Sequence, residues 1–301
     1  MNKISVVILT YNEELNLEYC LQNIQKLTTD IFIVDSFSND STLDIAKKYN
    51  CQVFQNKFVN HANQLNWAIE NVPFSSKWIL RIDSDEYLTD LLIDEINQKL
   101  PSIPEDVHGI FFKRRVYFMN KWIRFGGYYP TNLLRAWRVG KAVCEQRWMD
   151  EHMKLVEGRS AQFQHDMVDD NAKNLHWWIG KHNDYATKEA IEHLNTKHKL
   201  LESSEYVEGI LFGTQEQRKR WLKEKAYAII PIGLRPFIYF LYRYVLRLGF
   251  LDGFRGLLFH VLQGFWYRFL VDAKVYEIER KSKRTGLSIL EVLKKEYNLD
   301  L

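Results

Sequence analysis

The chain has 301 residues, 46% hydrophobic and 26% charged, an ordinary balance for a globular protein able to build a real core. Its net charge of +3 is too small to mark a nucleic-acid binder. Three well-separated cysteines, Cys20, Cys51 and Cys144, exclude a disulfide framework and a thiolate metal site and suit a reducing compartment.

The first residues, "MNKISVVILTYNEE", hold a short apolar run and then acid. No secretory leader is expected from so short a run, and the cytosolic side is the default. "ISVVILT" (4–10), "DIFIVDS" (30–36), "CQVFQN" (51–56) and "KWILRID" (77–83) predict strands. Helical stretches are predicted between them at about 13–27, 41–49 and 60–72, with Ser41 or Asp40 capping the second. Apolar runs without alternation belong to strands covered on both faces, and strand–helix alternation builds βαβ units. The expected fold class is therefore α/β, a mostly parallel sheet with helices on both faces.

A helix is predicted over 89–100, ended by Pro101, then a strand over 108–118. "RFGGYYPTNLLRAWR" (124–138) reads as a loop entering a further strand. From about residue 217 the character changes. Residues 218–247 hold eight Lys/Arg and one Glu among bulky apolar residues, and residues 201–301 carry a net +5. The longest uncharged run thereabouts, residues 256–267, is twelve residues, short of the roughly 20 that span a bilayer. Pro236 suits a first helical turn, and Arg243 and Arg247 share a helix face. This composition predicts helices lying in a membrane interface, the alternative being a helical hairpin packed on the α/β core. The expected division is a catalytic domain over 1–200 and a helical extension over 201–301.

"WILRIDSDEYL" (78–88) runs a buried strand into Asp83, Asp85 and Glu86. Asp83 and Asp85 are two apart, on one side while the strand lasts, at the carboxyl end of the sheet where open α/β folds bind ligands. Two close carboxylates need a cation or a proton, and a hard divalent ion carrying a diphosphate supplies one. Asp35 and the pair Thr10/Tyr11 end neighbouring strands, so three strand ends converge on one edge. A carboxylate there can accept from a base N–H, and an aromatic can stack on the base.

"SVVILTYNEE", "VDSFSNDST" and "RIDSDE", in that order and spacing, resemble the family 2 glycosyltransferases of the GT-A, Rossmann-like fold. "GGYYPTNLLRAWR" and "RWMDEHM" resemble the bacterial lipopolysaccharide-core and surface-polysaccharide branch. The resemblance implies that Thr10, Tyr11 and Asp35 hold the nucleobase, with Glu13, Asn66 and Ser84 also at the donor. It places Asp83 by the ribose and metal and makes Asp85 a ligand of Mn²⁺ or Mg²⁺. Glu151, with Asp150 as runner-up, becomes the base that takes the acceptor's proton. His165 becomes a candidate third metal ligand. Apart from the resemblance, Lys181 is a candidate phosphate contact and Trp177/Trp178 a sugar platform, the alternative being a core aromatic pair. One departure stands out: Leu65 precedes Asn66 where members of the family often carry a basic residue.

The implied activity is inverting transfer of a sugar from a nucleotide-sugar donor, UDP favoured by the family's habits. The acceptor would be a lipid-linked oligosaccharide or lipopolysaccharide-core hydroxyl. Residues 218–268 would hold the chain peripherally at the anionic cytoplasmic face of the cell membrane. A nucleotidyltransferase would carry a Gly-rich phosphate loop after the first strand, which "TYNEE" lacks; a catalytically silent scaffold is the other alternative. "QRKRW" (217–221) also fits a motif of processive synthases, but a stretch this basic produces such matches by chance.

Overall fold

The computed structural model describes residues 4–146, 152–198, 200 and 230–297. The chain forms two compact units, divided between Lys173 and Asn174.

The first unit is built on a mixed sheet in the order β3-β2-β1-β4-β8-β6-β11-β5. Its strands are β1 (Ser5–Thr10), β2 (Ile31–Asp35), β3 (Gln52–Gln55), β4 (Trp78–Arg81), β5 (Glu86–Leu88), β6 (Val107–Phe118), β8 (Thr131–Arg138) and β11 (Arg159–Asp169). The short β7 (Lys121–Trp122) pairs with β6, while β9 (Ala142–Cys144) and β10 (Met153–Leu155) form a separate ribbon. β1 to β4 pair in parallel, as the βαβ pattern predicts. Beyond β4 the sheet is largely antiparallel, because β8 joins β4 and β6 in that sense.

Alternate residues of the central strands feed two cores. Val6, Ile8, Ile31 and Ile33 face α1 (Leu17–Ile24) and α4 (Asp90–Lys99). Val7, Phe32, Val34 and Ile79 pack with α3 (His61–Asn71) through Ala62, Leu65 and Ala68. Leu65 is fully buried there, in contact with the second core. Asn60 caps α3 by accepting from Asn63 N–H at 2.7 Å, and Thr89 caps α4. α2 (Thr42–Lys48) completes the parallel half.

β11 carries an irregularity that the sequence pattern did not announce. Gln162 pairs with Phe111 and Asp166 with Lys113, so residues 163–165 bulge against Phe112. Glu95 of α4 is buried and accepts from Gln164 N–H and from His165 N–H, at 3.0 Å for the latter. His165 therefore sits in a mid-strand bulge, not at a strand end.

In the second unit, α5 (Leu175–His198) packs Ala186, Ala190, Ile191 and Leu194 with Tyr267, Val271, Val275 and Ile278 of α8 (Tyr267–Thr285). α9 (Ile289–Tyr297) adds Val292 and Leu293. α6 (Arg235–Leu241) has Pro236 in its first turn and continues as a π-helical turn, Tyr242–Leu246. A 3₁₀ turn (Gly249–Asp252), α7 (Gly253–Phe259) and a π-helical stretch (His260–Trp266) lead into α8. Arg235 and Asp272, both buried, pair through a fork, and Gly233 N–H also donates to Asp272 at 3.0 Å. Among the described residues no helix is long and apolar enough to cross a membrane.

His182 stacks on Trp178 with ring centroids 3.5 Å apart and donates Nδ1–H to the Trp178 carbonyl. Burial, helped by Lys181, pushes it down to about 4. The unfolded chain thus takes up this proton first as pH falls. The stabilisation is complete above the ordinary histidine pKa near 6.5 and is lost progressively toward pH 4. Thermal melts across that window should show His182→Gln with a flatter pH dependence than the parent, by up to about 3 kcal/mol.

Candidate active site

The loops that follow β1 and β2 are laced together. Asn12 N–H donates to Ser38 Oγ at 2.9 Å, Asn39 N–H to Asn12 Oδ1 at 2.9 Å, and Glu13 N–H to Thr42 Oγ1 at 2.8 Å. Thr10 and Asp35 are register partners, and Thr10 Oγ1 donates to Asp35 Oδ1 at 2.9 Å. Asp35 is fully buried and also accepts from Ser38 N–H at 2.8 Å and Ser38 Oγ at 2.5 Å. Its carboxylate fixes the second loop. That loop holds Phe37 in the left-handed region at φ 61°, a sparsely populated conformation for a bulky residue. Phe37 is 55% exposed and Tyr11, one residue past Thr10, is 59% exposed. Two open aromatic faces thus flank neighbouring strand ends.

Glu13 is tied to Lys173 at 2.7 Å and to Asn16 Nδ2 at 2.8 Å. Lys173 also donates to the Asn12 carbonyl at 2.9 Å, clamping the first loop from the end of the unit.

At the end of β4 the acidic turn is met by arginine. Arg81 forks onto Asp83, its Nη2 lying 3.2 Å from Oδ1, and Nη2 also donates to His61 Nε2 at 3.0 Å. Arg135 of β8, buried, reaches Asp83 Oδ2 at 3.3 Å and Glu86 Oε1 at 2.5 Å. Asp83 N–H closes the loop on Glu86 Oε2 at 2.9 Å. Burial opposes ionisation of Asp83, yet Arg81, Arg135 and His61 hold its carboxyl well below the usual carboxylate range. Burial also opposes the Arg135 charge, but Glu86 and Asp83 raise its pKa and keep it protonated. Burial lifts Glu86 above the ordinary range against the pull of Arg135.

Asp85 accepts from Asn171 Nδ2 at 2.7 Å, and its carbonyl accepts from Asp170 N–H at 2.9 Å. Burial, then the Asp85 charge, raises the pKa of Asp170. Ser84 is buried between the two aspartates. Among the described residues no three His, Cys, Asp or Glu side chains converge as a metal cage. Against the expectation of a metal ion as the only balancing charge, Arg81 and Arg135 already neutralise Asp83. Asp85 is the carboxylate of the turn without an arginine among its hydrogen-bond partners above, a hard ligand that suits a small divalent cation completing its shell with phosphate oxygens and water.

Thr10, Tyr11 and Asp35 come together as a group, and so do Asp83, Ser84 and Asp85. His165 is not brought to the acidic turn: it lies five residues up an extended strand from Asp170, well over 10 Å at about 3.3 Å per residue. Asn66 holds the backbone of Cys144, with Nδ2 donating to its carbonyl and Cys144 N–H donating to Oδ1, both at 2.8 Å. Lys181 belongs to the second unit and lies over the Trp177 ring, 4.7 Å from its centroid. Asp150, Glu151 and "QRKRW" lie outside the described residues. Sequence reasoning missed Arg81, Arg135, Asn171 and Lys173. An arginine two residues before Asp83 and another inside the apolar "LLRAWR" were the available signals.

The pattern that defines glycosyl transferase family 2 matches residues 5–150, the stretch that contains both groups. The chain carries a family 2 glycosyltransferase domain. An uncharacterized glycosyltransferase of Rickettsia typhi is 33% identical over 106 residues, 35% of this chain and 36% of that protein. One from Rickettsia prowazekii matches with the same identity and coverage. The chain thus spans about a third of the length of the curated relatives it matches. A mannosyltransferase of Pyrobaculum calidifontis, solved in complex with GDP-Man and Mn²⁺, superposes with a TM-score of 0.52 over 91% of this chain and 87% of its own, at 13% identity. That likeness establishes the GT-A type of fold.

Arg135→Met would leave Glu86 and Asp83 without their shared buried counter-charge. Urea unfolding should show a loss of about 3–5 kcal/mol, largely recovered in Arg135→Met/Glu86→Leu.

Proposed function

We propose that the chain is an inverting glycosyltransferase that moves a sugar from a nucleoside-diphosphate donor, UDP-linked for preference, to a hydroxyl of a lipid-linked oligosaccharide or lipopolysaccharide-core acceptor. The observation that carries this is the convergence, inside a family 2 domain, of the Thr10–Asp35 pair and the Asp83–Asp85 turn at the carboxyl ends of the neighbouring parallel strands β1, β2 and β4. Tyr11 and Phe37 offer their open faces to the base, and Asp35 anchors the loop between them through Ser38.

Asp85, with Asp83, would hold Mn²⁺ or Mg²⁺. When bound, such an ion neutralises the diphosphate as it leaves. Arg81, with His61 at the positive end of α3, lies beside the turn and can take up phosphate charge that no residue at position 65 supplies. Glu151, or Asp150 beside it, takes the proton of the acceptor hydroxyl as that oxygen bonds to the anomeric carbon. The nucleoside diphosphate departs from the opposite face with the bonding pair, which inverts the centre. Asn66 grips Cys144 at the end of β9, three residues before the "RWMDEHM" segment, and so steadies the strand that leads to these carboxylates.

The acceptor side places the chain at the anionic cytoplasmic face of the cell membrane, held by the basic aromatic segment over about 218–268. Five arginines and one acid lie between residues 230 and 271, a balance that favours anionic headgroups by about 1 kcal/mol per exposed cation.

Release of nucleoside diphosphate from UDP-sugars with Mn²⁺ tests the reading. Asp85→Ala should lower kcat by about 100-fold or more, and Glu151→Gln by a similar factor with the nucleotide Kd unchanged. Full turnover in Asp85→Ala would refute the metal site at this turn, and no release by the parent with any UDP-sugar would refute the transferase. Full turnover in Glu151→Gln alone would move the base to Asp150.

A further inference from the structure

The second unit holds a helical hairpin whose apex buries polar groups and exposes apolar ones. Phe237 lies against Phe265 with ring centroids 4.5 Å apart, and Tyr244 against His260 at 5.8 Å. Numbers rise along one limb as they fall along the other, so the limbs are antiparallel and turn near residue 252. Leu248 at φ 59° and Gly253 at φ 68° bracket the 3₁₀ turn that forms the apex. A Cβ on Gly249 would come within 2.5 Å of His260 Nε2, so the two limbs touch closely at Gly249.

Asp252 and His260 are buried inside this apex, with Arg243 half-buried beside them. Outside it stand Leu246, 73% exposed, Phe254, 72% exposed, and Leu248, Phe250 and Leu251, each close to half exposed. In water the outward arrangement is unfavourable: five bulky apolar side chains cluster in solvent. At the acyl boundary of a lipid layer the outward set becomes favourable, and the inward set is where polar groups belong.

Charge selects the kind of lipid. Asp252 is the single acid between residues 230 and 271, and it is buried. Arg235 is neutralised by Asp272. Arg247 and Arg255 are exposed, one on each limb, beside the apolar tip. Cationic side chains so placed reach back to phosphate while the stem stays in apolar surroundings.

We propose that residues 246–254 form a wedge that enters the acyl layer of one leaflet of an anionic phospholipid membrane, with Arg247 and Arg255 at the phosphate level. This deepens the membrane docking proposed above and rests on that reading for its biological setting. It replaces a purely electrostatic attachment with one that survives salt.

Flotation of the full chain with phosphatidylethanolamine/phosphatidylglycerol vesicles tests it, at low and at high salt, with Mn²⁺–UDP binding measured on the same samples. The parent protein should float at both salts. Leu251→Ser/Phe254→Ser should melt like the parent yet partition at least about tenfold less at high salt. Arg247→Gln/Arg255→Gln should float at high salt like the parent and lose only the preference for anionic over neutral vesicles. Release of the parent by salt would overturn the wedge and leave electrostatic docking standing. No flotation with intact UDP binding would overturn wedge and docking together while sparing the transferase. Conversion of a dimer to a monomer by the tip substitutions, without lipid, would overturn the wedge in favour of a second copy of the chain.

Discussion

Arg135 is the charge around which the site is organised. It is buried on β8 and meets two carboxylates of the segment that follows β4, Asp83 at 3.3 Å and Glu86 at 2.5 Å. Without it, the turn 83–86 would place several carboxylates in a partly desolvated corner with only Arg81 to balance them. With it, Glu86 serves as an anchor, Asp83 is fixed between two guanidinium groups, and Asp85 accepts instead from Asn171. The antiparallel half of the sheet exists, from the site's point of view, to deliver that guanidinium: β8 pairs with β4 and so sets Arg135 beside the acidic turn.

The same division of labour recurs at the other strand ends. Asp35 is wholly internal and orders the loop that displays Phe37, while Tyr11 stands open on the neighbouring loop. Buried carboxylates thus hold loop geometry, and the exposed aromatic groups stand open at the strand ends. Asn66 follows the same logic at a distance by pinning β9 through both atoms of its amide.

Much of this was legible in the sequence because it is local. Apolar runs of four to six residues, each followed by a polar turn, place Thr10, Asp35 and Asp83 at strand ends once the strands are taken as parallel, and the register confirms that Thr10 faces Asp35. What was not legible is non-local. Arg135 and Glu86 are 49 residues apart and meet only because β8 crosses beside β4, a pairing no periodicity encodes. The bulge that holds His165 inside β11 depends on Glu95 from a helix about 70 positions earlier. In the second unit the π-helical turns at Tyr242–Leu246 and His260–Trp266 break the 3.6-residue phase, so a helical wheel drawn from sequence mixes the inward and outward faces of the hairpin.

Seating of a metal–diphosphate pair at the Asp83–Asp85 turn, beside Arg81 and Arg135, is the property that decides the proposed function. Electron paramagnetic resonance of Mn²⁺ titrated into the full chain, with and without UDP, reads this directly. The predicted result is weak uptake of Mn²⁺ alone, much tighter uptake once UDP supplies phosphate oxygens, and loss of that coupling in Asp85→Asn. Mn²⁺ that remains free in the presence of UDP, or uptake unchanged in Asp85→Asn, would contradict the account.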